Sequence, residues 1–130
     1  MKPKKINIKY SKDLEWLKPF VDHCCYSVPL HKIKSIRSYK VRSGLKVKAY
    51  GSTSKEGSEY NINLNVYPFN RIAIILDTLA HELAHVKQKG KNFGKHDSKH
   101  FNNQANILVG FSYILKLLKV KDTSKLFNNL

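Results

Sequence analysis

The chain has 130 residues, 42% of them hydrophobic, which fits one domain with a buried core and excludes a disordered composition. Its 24 Lys plus Arg outnumber 9 Asp plus Glu, and a formal net charge of +15 points to a polyanionic partner, nucleic acid before an anionic membrane or an acidic protein. Cys24 and Cys25 are adjacent and are the only cysteines, so a cysteine zinc ribbon is excluded and two reduced thiols are expected.

The basic N-terminus lacks the apolar core of a signal peptide, and no run approaches the roughly 18 apolar residues of a membrane span. The expected location is intracellular: cytoplasmic, or beside nucleoid or nuclear DNA. Residues 6–10 alternate as a short strand would. Ser11 is placed to cap a helix from Lys12, in which Leu14, Leu17, Val21 and Cys24 share one face and which Pro19 kinks or divides. Pro29 ends that region.

Lys32 to Val41 has a weak strand pattern in Ile33, Ile36, Tyr39 and Val41, and Ser43-Gly44 reads as a turn. Leu45 to Tyr50 alternates cleanly, and Gly51 to Glu59 reads as a polar loop. Tyr60 to Val66 is the clearest strand, with Tyr60, Ile62, Leu64 and Val66 on one face and asparagines on the other. These segments predict a small antiparallel sheet of about three strands, one face buried.

Pro68 closes the last strand and Asn70 is a plausible N-cap. Ile72, Ile75, Leu76, Leu79, Leu83 and Val86 then recur at spacings of three and four, predicting a helix from Arg71 to about Lys89 that stops at Gly90. Asp97 or Ser98 caps a further helix, which Gly110 is expected to break, and the tail from Lys121 is polar. The whole is an α+β single domain spanning residues 1–130, with residues 1–12 as a basic arm.

Inside the first long helix stands His81-Glu82-Leu83-Ala84-His85. Histidines four apart on a helix share a face and can grip one zinc ion, and the glutamate between them can reach a water on that metal. A catalytic zinc takes three protein ligands and leaves a position for water. His96, at a loop-to-helix junction, is the preferred third ligand and His100 the alternative. Glu82 is the expected general base for attack on a peptide carbonyl. His100, if not a ligand, or Tyr113 is a candidate to stabilise the oxyanion, and Asp77 or Asp97 to orient a ligand imidazole. His23 and His31 read as ordinary histidines.

Asp77 to Gln88 followed by Lys95-His-Asp-Ser-Lys-His-Phe101 resembles the SprT-like zinc metallopeptidases and the related WLM group. The resemblance covers about residues 60–110. It implies His81, His85 and His96 as zinc ligands, Glu82 as catalytic base, a zincin-like helix preceded by a small sheet, and proteolysis of proteins crosslinked to DNA. Asp97 stands where the SprT pattern has glycine, as in the WLM group, and Phe101 comes one residue late. Lys87, Lys89, Lys91, Lys95 and Lys99 surround the motif and are the expected nucleic-acid contacts, with Lys2, Lys4, Lys5, Lys9 and Lys12 as a second cluster.

The expected protein is thus a monomeric zinc endopeptidase acting on protein or peptide near DNA, with no membrane partner. The alternative is a non-catalytic nucleic-acid-binding module with a structural zinc.

Overall fold

A computed structural model describes residues 6–39, 50–66 and 72–118. The first segment opens with strand β1 (Lys9–Tyr10), a 3-10 helix over Lys12–Leu17 and the short helix α1 (Lys18–Asp22). Pro19 sits in the first turn of α1, where a missing amide proton costs nothing, so it marks the change from 3-10 to α geometry. Leu14, Leu17, Phe20, Val21 and Cys24 are buried, as their spacing predicts. Ser11 does not cap: its Oγ accepts from the Ser38 amide at 2.8 Å, and its own amide donates to Ile36 O at 3.0 Å. Its polar groups extend the pairing of β1 instead. Lys9 and Lys12 therefore belong to folded elements, while Lys2, Lys4 and Lys5 lie outside the described residues.

The sheet follows: β2 (Ile33–Tyr39), β3 (Gly51–Glu56) and β4 (Glu59–Asn65). The order is β1-β2-β4-β3. β1 runs parallel to β2 and β2 parallel to β4, and only the β3–β4 hairpin is antiparallel. This corrects the expected antiparallel sheet of about three strands: there are four among the described residues, and the sheet is mixed. β3 folds to the outside of β4, so the two apolar strands β2 and β4 meet directly in the same direction. The polar loop expected over Gly51 to Glu59 is also corrected. It is strand β3, a turn with Gly57 at φ 63°, and the start of β4. The strand expected over Leu45 to Tyr50 lies outside the described residues up to residue 49, as do Pro68, Asn70 and the tail from Lys121.

Helix α2 (Ile72–Lys87) lays Ile72, Ile75, Leu76, Leu79 and Leu83 into the core with Ile36, Ile62 and Leu64 of the sheet. Helix α3 (Ser98–Leu117) starts at Asp97, whose Oδ1 accepts from the His100 amide at 2.9 Å. It runs unbroken through Gly110, against expectation. That glycine serves packing: a Cβ there would lie 2.8 Å from His23 Cδ2, so α3 comes close to the end of α1. Phe111 meets Phe20 edge-to-face at 5.6 Å and pins the same contact. No described helix is long and apolar enough to cross a membrane.

Candidate metal centre

α2 presents His81, Glu82 and His85 toward a cleft of about 460 Å³, closed on one side by the start of β3 and on another by Gly94 and His96. The ligand nitrogens offered by His81, His85, His96 and His100 all lie within 4.8 Å of one another, close enough for the group to hold a metal ion.

The Nε2 atoms of His81, His85 and His96 form a triangle with every edge 3.2 Å. Tetrahedral ligands at Zn–N distances of about 2.0–2.1 Å stand about 3.3–3.4 Å apart, so the triangle has the right size. The neighbouring amides fix which nitrogens are bare. Gln104 Nε2 donates to Asp77 Oδ1 at 3.0 Å, which turns its Oε1 toward His81 Nδ1 at 2.9 Å. Gln88 Nε2 donates to Lys95 O at 2.6 Å while its Oε1 accepts from the Gly94 amide at 2.8 Å, and the same Oε1 lies 2.8 Å from His85 Nδ1. Both Nδ1 atoms must therefore carry the proton, and both Nε2 atoms point bare lone pairs at the shared centre. Two such nitrogens at 3.2 Å repel unless positive charge sits between them. The donor set fits a cation.

His100 stands differently. It is buried, stacks on His85 with centroids 4.2 Å apart, and sets its Nε2 3.2 Å from His81 Nδ1, the nitrogen on the far side of the ring from the triangle. Its own Nδ1 is buried without a hydrogen-bond partner. Burial, then the neighbouring histidines, pushes its pKa down to about 4, and burial also lowers that of His85. Both shifts favour the neutral imidazole that a metal requires.

Glu82 is 4% exposed. Burial raises its pKa, partly offset by the Thr53 hydroxyl and by His81. Thr53 Oγ1 donates to Glu82 Oε1 at 3.0 Å. The register explains the reach. Gly51 pairs with Leu64 and Thr53 with Ile62, so Gly51 and Thr53 face α2 with the core residues of β4. A Cβ on Gly51 would lie 2.7 Å from Thr78 Cγ2, 3.0 Å from Asn63 O and 3.3 Å from Glu82 Oε2. The first is a stiff β-branched methyl and the second is backbone, so neither can yield cheaply. Gly51→Ala is expected to destabilise the fold by about 1–3 kcal/mol, read as a lower denaturant midpoint at unchanged slope. An unchanged midpoint would show that β3 moves off α2 freely.

Four residues of this site were not predicted: Gly51, Thr53, Gln88 and Gln104. Only Gln88, one helical turn after His85, stood at a readable spacing. Asp77 acts on His81 through Gln104, whereas Asp97 is the cap of α3. Tyr113 packs beside His23 and does not line the cleft; Tyr50 does. Of the five expected nucleic-acid lysines, Lys87 and Lys89 line a separate cavity at the end of α2, while Lys91, Lys95 and Lys99 are exposed and line neither it nor the cleft. No family model matches this chain, and no curated protein or solved structure is significantly similar to it.

Proposed function

We propose that the chain is a zinc-dependent metalloendopeptidase of the SprT-like or WLM type, acting on proteins associated with nucleic acid, including proteins crosslinked to DNA. The observation that carries this reading is the pairing of bare, converging imidazole nitrogens with a buried carboxylate in one open cleft.

His81, His85 and His96 would hold the ion. The chemistry a zinc ion supplies when bound is Lewis acidity, a lowered pKa for water and a polarised carbonyl. Glu82 takes the proton of the attacking water and returns it to the leaving amine. Thr53 holds one oxygen of that carboxylate and leaves the other for the water. Burial raises the proton affinity of Glu82, which suits a group that must accept a proton and give it back. Among the described residues β3 is an edge strand, and its residues Gly51 to Thr53 line the cleft, so its outer backbone edge can pair with an extended peptide. The net charge of +15 supports a substrate held near nucleic acid.

The second reading, a non-catalytic module with a structural zinc, draws on the nearness of His100. It needs His100 on the ion, yet the His100 contact is to the back nitrogen of His81.

The test measures bound zinc and cleavage of a basic DNA-binding protein, with and without single-stranded DNA and a chelator. Cleavage that the chelator stops and zinc restores is expected. Zinc-loaded protein that leaves the substrate intact in every condition overturns the proposal.

A further inference from the structure

Away from the cleft, at the C-terminal end of α2, lies a cavity of about 560 Å³ lined by His31, Lys32, Lys55, Lys87 and Lys89, with no Asp or Glu among the described residues of its wall. The lysines come from the approach to β2, from β3 and from the end of α2, so the fold gathers them from positions far apart in sequence. A second cavity of about 550 Å³ adds Lys9 and Lys34, with Glu59 in its wall and Glu56 3.9 Å from the Lys34 ammonium, and shares His31 and Lys32 with the first. The two hollows adjoin at these shared residues and together make up a basic groove.

We infer that this groove binds the phosphate backbone of single-stranded nucleic acid. Three features select that ligand. Lysines spread over two joined hollows outreach any single phosphate, whereas a strand offers a phosphate at every step. The cations are ammonium point charges suited to phosphate, and no arginine fork of the kind that matches carboxylates stands among the described residues of the groove. Pro29 and Val86 give the first hollow an apolar floor against which a sugar or base can rest. Lys91, Lys95 and Lys99 are not part of this site. The inference deepens the nucleic-acid side of the proposed function and is independent of the metal.

The experiment measures anisotropy of a labelled oligothymidylate on the full chain across a salt series. It compares Lys32→Glu/Lys55→Glu/Lys87→Glu with the charge-matched set Lys91→Glu/Lys95→Glu/Lys99→Glu. The groove set is expected to lose at least about 30-fold in affinity, and its salt slope to fall by about 2, three lysines at about 0.7 each. The control set is expected to lose less than about 3-fold. Lys→Gln at the three groove positions keeps the same ranking with a milder perturbation of the fold. Equal losses in the two sets overturn the site, since the charge would then act only as a diffuse field. Competition by polyglutamate or inorganic triphosphate as effective as by unlabelled oligothymidylate overturns the ligand. Loss of peptide cleavage with groove binding intact would count against the protease reading alone.

Discussion

Glu82→Gln is expected to lower peptide cleavage by about 100- to 10,000-fold, the range that removal of a general acid–base group spans, while bound zinc stays at one per chain. The amide keeps the shape of the carboxylate and still accepts from Thr53 Oγ1, so neither α2 nor the hold of β3 on it is disturbed. Stability moves the opposite way from activity. Burial raises the Glu82 pKa, so the folded chain binds that proton more tightly than the unfolded chain does. The stability this gives is present at low pH and lost as pH rises through the folded pKa. At neutral pH the charged form therefore costs stability, and the neutral amide relieves it. The metal-free variant should melt above the metal-free parent at pH 7, with the gap closing in acid. Undiminished cleavage by the variant would remove Glu82 from the chemistry.

His96→Ala and His100→Phe are expected to separate by their zinc affinities. His96 Nε2 is a corner of the triangle, 3.2 Å from both partners, so its loss should cost far more than about 100-fold. His100 touches the back nitrogen of His81 and stacks on His85, so it belongs with the groups that orient ligands, whose loss costs about 10–100-fold. Phenylalanine fills the same buried space and keeps the stack. Competition with a coloured chelator reads both constants. Equal and very large losses would place His100 on the ion and return the site to a closed, structural one.

The parts legible in the sequence were those with strong periodicity or local spacing. α2 announced itself through six apolar residues on one stripe, and β4 through strict alternation ending in buried Leu64 and Val66. The histidines read correctly as a group because their positions sit within one helical hairpin. The sheet was harder. Ile33 and Ile36 are both buried although three residues apart, because the register shifts between Ile33 and Ser35. That shift resets which face each side chain takes and blurs the period of two. β3 hid for another reason. It is an edge strand among the described residues and touches α2 through Gly51 and Thr53, neither of which has an apolar side chain, so no hydrophobic pattern marks it. Parallel pairing of β2 with β4 is a choice of topology, which strand patterns alone do not encode.

Gln88 has a consequence beyond orienting His85. The residue lines the basic cavity, while its side-chain oxygen holds the His85 ring. Gln88 therefore stands between a candidate ligand of an ion and the lysines of the cavity. Were both sites filled as proposed, linkage would tie them. An occupant of the groove that pulls on this amide changes the affinity of the histidines for their ion, and the ion must change the affinity for that occupant by the same factor. Metal supply and nucleic-acid occupancy would then enter one equilibrium.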